Sequence, residues 1–299
     1  MSIALATKFA PYTDELFKAE SKISLLTNTD FDWSGAHTVK VWKISTAAMQ
    51  DYARNVASDA ESFPVSRFGN LADLSASTEE MVLSKDRSFI FNVDRLDTDE
   101  TAQQVEAAKA LAREVREVVI PEVDSYVYGK MRTGAGTKAA AAELTAENIY
   151  AKILTGSETL DDNEIPDTDR VLVVSPATYT LLKKAVGETA YNDVDAELRA
   201  LGVVSMLDGM KVVKVPASRL PVNFGFMIAH PSATVAPVKL EDYGVHDDTP
   251  LSSGSIVTGR IVYDAFVLDN KAKGIYYQPV QASGSSGDSG ASGASGTSN

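Results

Sequence analysis

Three histidines, His37, His230 and His246, are the only imidazoles the chain offers to catalysis or to a metal. None stands in an HExxH or other ligand spacing. His230 precedes Pro231 at the end of an apolar run, which fits a structural or surface histidine. Cysteine is absent, which removes disulfides and thiolate metal sites and suits a reducing cytoplasm. Carboxylates cluster at Asp161, Asp162 and Glu164, at Asp167 and Asp169, and at Glu241, Asp242, Asp247 and Asp248. A calcium loop needs alternating oxygens around a glycine turn at fixed positions. No cluster has that order, so all three read as solvated loops. TGAGTK at residues 133–138 hints at a phosphate loop, but it lacks the GxxxxGK[ST] spacing and follows a helix rather than a buried strand. Ser175 and Ser205 lack the G-x-S-x-G elbow and a paired histidine. Tyr12, Phe17, Tyr126 and Tyr128 read as core or interface anchors. No residue is assigned a catalytic, cofactor-binding or metal-binding role.

Bulk properties narrow the class further. The chain has 299 residues, 44% of them hydrophobic, enough for one large or two ordinary cores. No stretch reaches the ~18 consecutive apolar residues that would span a bilayer. The amino terminus lacks the basic start and long apolar run of a signal peptide. Net charge is −13 with no Lys/Arg cluster, so a direct grip on phosphates is not expected.

The elements that would have to position any site come next. Residues 13–26 fit a short helix. Residues 37–44 and 89–93 read as strands that flank about 45 residues rich in Ala, Ser, Asp and Asn. A loop of that length is unusual inside a compact domain, so this segment reads as an arm that a neighbouring molecule must order. A long helix follows over residues 97–119, capped by Thr98 or Asp99, with Val105, Ala108, Leu111 or Ala112, Val115, Val118 and Val119 as its apolar stripe. Pro121 cannot continue that helix without a kink but suits the first turn of a second one, to Met131. The pattern is then α/β: helices at 145–154 and 178–186, and strands at 170–176, 210–216 and 224–229. Residues 235–240, 255–268 and 274–278 read as further strands. Residues 279–299 form a tail dominated by Ser, Gly and Ala, with Asp288 its only charge and too little apolar area to form a core, expected to be a flexible extension.

This order of elements, with the stretches LSKDRSFIFNVDRLDTDET (83–101), VIPEVDSY (119–126), VLVVSPATYTLL (171–182) and DAFVLDNKAKGIY (264–276), resembles the major capsid proteins of tailed bacteriophages. The likeness is to the Hong Kong 97-type fold, and within it to capsid proteins of phages infecting Gram-positive bacteria. It spans most of residues 5–278.

The resemblance implies an α+β subunit that is not an enzyme and needs no cofactor. Its parts would be an N-terminal arm (1–36), an extended loop (37–93) and a peripheral domain with a spine helix (94–140). An axial domain (141–234), peripheral return strands (235–268), a closing axial strand (269–280) and the flexible tail (281–299) would follow. Such subunits form hexamers and pentamers of an icosahedral shell around double-stranded DNA, bound without sequence preference. They are assembled in the bacterial cytoplasm with a separate scaffolding protein, or without one, together with a portal and, in some phages, a decoration protein. The arm would lie across a neighbouring subunit. Arg54, Arg67, Lys85, Asp86 and Arg87 are its inter-subunit contact candidates, charges that set register without a large apolar patch. Lys43 or Lys85 could crosslink to a neighbour's asparagine as in some members, though nothing marks a catalytic acid. Two other readings stay open: an encapsulin-like nanocompartment shell, which shares the fold, and a small-substrate α/β enzyme, which would need convergent titratable residues.

Overall fold

Val171–Val174 (β5) and Phe224–Ala229 (β8) are buried at every position, which requires a sheet covered on both faces. The computed structural model describes residues 21–28, 30, 38–52, 67–68, 71–94, 107–186, 203–246 and 253–281. The chain divides into two units, Asp32–Lys85 and the remainder.

In the larger unit, β5 and β8 are the centre of a six-stranded mixed sheet. Its other strands are Thr137–Lys138 (β4), Val203–Leu207 (β6), Met210–Lys214 (β7) and Ile275–Pro279 (β13), in the order β4-β13-β8-β5-β7-β6. β5 runs parallel to β7 and antiparallel to β8. Alternate residues of each strand enter different cores. Val171, Val173, Met227, Ala229, Ile275 and Tyr277 face one. Leu172, Val174, Phe226, Ile228 and Tyr276 face the other. Helices Ile149–Asp162 (α2) and Pro176–Val186 (α3) cover the second core through Ile149, Ile153, Leu160 and Leu182. The helix expected at 145–154 thus starts and ends later, and β6 was missed altogether in the sequence pattern.

The first core is covered by the long helix. Ala107–Glu114, Val115–Val119 and Ile120–Gly134 form one continuous run of 28 residues (α1) in which the middle five are π-helical. This corrects the expectation of two helices meeting at Pro121. Proline lacks an N–H and crowds the carbonyl four residues back, and a π turn placed just before it relieves both. The stripe is corrected as well. Ala107, Leu111, Val119 and Val123 pack inward, whereas Ala108 and Ala112 are exposed and Val118 is 47% exposed. Ala108 and Ala112 precede the turn and sit one position off the inward stripe, while beyond Val115 a constant 3.6-residue period cannot anticipate the added residue. The helix start expected at 98–99 and Val105 lie outside the described residues, as do most of the helix at 13–26, His37, Arg54 and the tail.

The amino half of α1 packs on a second sheet, Val238–His246 (β10), Gly254–Tyr263 (β11) and Lys85–Asp94 (β3), ordered β10-β11-β3. Phe89, Phe91, Val93 and Val257 meet Ala107 and Leu111 there. A Cβ at Gly259 would stand 2.2 Å from the Phe89 ring, so glycine is what lets the ring lie on β11. The single strand expected over 255–268 is instead broken after Tyr263. Asp264 turns its carboxylate onto the Ala265 N–H at 2.7 Å. Phe266–Val267 (β12) then pairs with Thr234–Val235 (β9).

The smaller unit contains a hairpin of Thr38–Ile44 (β1) and Ala76–Val82 (β2). The sequence pattern expected only two strands here, at 37–44 and 89–93, flanking a polar excursion. Instead β2 lies within that excursion. Its residues, Ala-Ser-Thr-Glu-Glu-Met-Val, carry little β signal, and cross-strand pairs accompany the ladder. Lys40 sits opposite Glu80 and is ion-paired with it. Lys43 reaches diagonally to Glu79 at 3.0 Å.

Candidate assembly surface

The residues with the chemistry for a site build structure instead. Ser175 caps α3, accepting from the Thr178 N–H at 3.1 Å, with Pro176 in the first turn. TGAGTK ends α1 and begins β4. A Cβ on Gly136 would come within 2.6 Å of the Ala272 backbone, so this glycine serves close chain approach, not a phosphate. The 161–169 acids are only partly solvated. Asp161 pairs at 2.7 Å with Arg170, a buried guanidinium that also donates to the carbonyls of Pro166 and Ile165. Asp169 pairs with Lys211 at 2.7 Å, which holds its carboxyl below the usual range. His230 shares its Nδ1 with the Ser232 hydroxyl at 2.8 Å, and burial lowers its pKa. His246 meets Thr258 at 3.1 Å. Among the described residues no three His, Cys, Asp or Glu side chains are grouped to hold a metal, and no helix is long and apolar enough to cross a membrane.

What the hairpin presents is different in kind. Alternation along the strands puts Thr38, Lys40, Trp42 and Ile44 on one face, opposite Val82, Glu80, Thr78 and Ala76. That face is open: Trp42 is 69% and Ile44 66% exposed. Beyond the strands, Met49, Phe68, Leu71 and Leu74 are exposed as well. The arm was expected to rely on charge and to avoid apolar surface. In fact it shows large apolar side chains that a lone two-stranded hairpin has no layer to cover. They were obscured in the sequence because they are scattered singly through a polar stretch.

The charged candidates separate. Arg67 lies exposed near the Tyr52–Phe68 ring pair. Lys85 is half-buried at the start of β3. Asp86 and Arg87 are engaged within the chain. Asp86 accepts from Arg260 Nε and Nη2 at 2.9 and 2.6 Å, and this hydrogen-bonded pair lowers the Asp86 pKa. Arg87 Nε lies 2.8 Å from Glu122 Oε1 on α1. The Tyr263 hydroxyl donates to the same Glu122 oxygen at 3.2 Å. Burial first, and the Glu122 charge second, push the Tyr263 phenol up to about 12.

That shift gives a pH prediction. The folded pKa lies above the unfolded value of about 10, so the stabilisation is complete below pH ~10 and is lost as pH rises through about 12. Tyr263→Phe should therefore lose less stability than the parent chain between about pH 9 and about pH 11, read as urea midpoints. Equal losses would refute it. Tyr128, Tyr276 and Tyr277, also raised by burial, leave a residual slope in both.

The sequence pattern also missed the most buried charges. Asp124 of α1 and Arg219 of the turn Ala217–Arg219 meet at 2.7 Å, and the second Asp124 oxygen accepts the Ser21 hydroxyl at 2.6 Å. The visible signal was an acid at 124 between Val123 and Val127, on the apolar side of a helix.

The described residues thus offer no assembled site for chemistry, but a sheet covered on both faces, a long helix shared with a second sheet, and a hairpin with exposed apolar side chains. The model of the phage capsid protein family matches residues 78–278, about two thirds of the sequence, and the chain belongs to that family. It is accordingly a structural protein of the virion, the major capsid protein that forms the shell, and not an enzyme. No curated protein matches the sequence. Among solved structures it is similar to one from Mycobacterium phage Che8, with TM-score 0.70 and 19% identity over 92% of this chain and 96% of that one. A Microbacterium phage Oxtober96 structure gives TM-score 0.70 at 10% identity, covering 93% and 96%. The mature capsid of bacteriophage PhiM1 gives 0.64 at 11%, covering 93% and 92%. These likenesses support the expected α+β Hong Kong 97-type fold.

Proposed function

We propose that the chain assembles as hexamers and pentamers of an icosahedral shell around double-stranded DNA, and that the part of residues 37–93 that precedes Asp86 lies across a neighbouring copy, β3 staying in its own subunit's sheet. The exposed Trp42–Ile44 face of the hairpin carries this reading, because burying it takes a second molecule. Arg67 and Lys85 are its direct charged contacts, and Arg54 completes the set in the same segment. In this arrangement residues 141–234 and 269–280 form the axial domain at the capsomer centre. Residues 94–140 and 235–268 form the periphery, with residues 1–36 as an arm and 281–299 as a flexible tail. The net charge of −13 suits a shell that encloses DNA without gripping it through base or phosphate contacts. A separate scaffolding protein and a portal are the other partners, joined in some particles by a decoration protein.

Negative-stain electron microscopy of the chain co-expressed with its scaffolding protein tests the reading. Closed shells or tubes of hexamers are expected. A stable monomer or dimer across salt and pH would overturn it.

A further inference from the structure

We infer that the end of the six-stranded sheet where β13 and β5 begin is an interface between copies of this chain, the basic half of one copy facing the acidic half of the next. The inference rests on the proposal that copies close into hexamers and pentamers.

Topology collects the charges. β13 and β5 both run antiparallel to β8, β4 is parallel to β13, and β7 is parallel to β5. The segments that lead into these four strands therefore meet at one end of the sheet, beside His230 at the exit of β8. On the β4–β13 side lie Arg132 and Lys138, with Lys271 and Lys273 of the turn Asp269–Gly274, all four exposed. The two pieces are joined, since the Gly136 N–H donates to the Ala272 carbonyl at 2.8 Å. That turn carries one carboxylate, Asp269. On the β5–β7 side the 161–169 loop presents Asp162, Glu164 and Asp167, and the β6–β7 turn presents Asp208, again all exposed. His230 lies between the halves, within the field of Asp169 and of Lys271.

Neither half neutralises itself. Asp161 and Asp169 pair with Arg170 and Lys211. Among the described residues Asp162, Glu164 and Asp167 form no ion pair, and neither do Lys271 and Lys273. Four strand steps of about 4.8 Å separate β4 from β7, so the outer edges of the halves stand roughly 19 Å apart. That exceeds the screening length of ~8 Å at physiological salt.

The charges are also held in place. Buried Arg170 donates to the carbonyls of Ile165 and Pro166 in the acidic loop. Arg132 lies over the Tyr277 ring at 5.7 Å, and Lys138 donates to the Thr133 carbonyl at 2.6 Å. Groups fixed beforehand lose little freedom on binding.

Charge complementarity chooses the partner. A nucleic acid would bring its phosphates against the carboxylates beside the lysines, on a chain of net charge −13. A second copy brings both signs. The halves are different surfaces of one subunit, so the contact is head to tail, the kind that closes rings.

Lys271→Glu/Lys273→Glu makes the basic half acidic, and Glu164→Lys/Asp167→Lys makes the acidic half basic. Each double variant is co-expressed with the scaffolding protein, and shells are counted by electron microscopy. Each should lower the shell yield by about tenfold while the urea midpoint holds, because like charges then face each other at every contact. The quadruple variant, with both halves reversed, should restore the yield. Should a reversal fail to fold, Lys271→Gln/Lys273→Gln decides: a fall of about threefold supports the interface, and no fall overturns it. Parental yield from both reversals, or a quadruple variant no better than either, also overturns it. Shells at parental yield together with lost binding of a short DNA duplex by Lys271→Glu/Lys273→Glu would assign the lysines to nucleic acid instead. If the parental chain gives no shells, the assembly reading fails and the interface with it. Parental shells beside unaffected variants sink the interface alone.

Discussion

Replacing Arg219 by leucine should destabilise the subunit by about 3–5 kcal/mol, the cost of leaving a buried carboxylate without its counter-ion. Asp124 and Arg219 are 2% and 3% exposed, so water does not reach either charge to compensate. After the substitution only the Ser21 hydroxyl would remain on Asp124. The damage would be shared by three parts of the chain, since the pair ties α1 to the 217–219 turn and, through Ser21, to the amino-terminal segment. Ile23 and Leu26 of that segment are packed in the same core as Val127, Tyr128 and Met131. Equilibrium urea unfolding measures the effect. The double variant Asp124→Leu/Arg219→Leu should recover most of the loss, because it removes the stranded charge along with its partner. A single-variant loss below about 1 kcal/mol would show that the pair does not need its burial compensated.

Trp42→Ser should act on assembly and leave folding alone. The side chain is 69% exposed in the subunit, so the urea midpoint should not move beyond the scatter of surface substitutions, about 0.5 kcal/mol. A buried tryptophan at an interface centre typically contributes about 2 kcal/mol or more. Each subunit donates one arm, so the protein concentration needed for shells should rise by about 30-fold. Light scattering against concentration reads this directly. Shells forming at the parental concentration would mean that Trp42 stays in solvent in the particle.

Legibility followed periodicity. The buried strands β5 and β8 were evident as continuous apolar runs, and β8 was placed at its observed bounds. Strand β2 was invisible because its residues carry little β propensity and its pairing with β1 joins segments far apart in sequence. The π turn was invisible because it changes the period itself. At the candidate site, the charges at 85–87 were singled out, but not what they hold. Glu122 is 35 residues from Arg87, and Arg260 is 174 from Asp86. No local pattern can join residues that only the sheet order brings together. Asp124 and Arg219, 95 apart, escaped for the same reason.

The π turn makes α1 two screws of one thread cut out of phase. One added residue rotates everything beyond it by about 100° relative to an unbroken α-helix. That rotation lets residues 107–111 address one core while residues 127–131 address another. In a lineage of such subunits, chain length between Val115 and Val119 is therefore constrained more tightly than residue identity. A conservative exchange there would keep both halves in phase with their cores. Losing a single codon would leave the helix intact and turn half of its apolar side chains toward water.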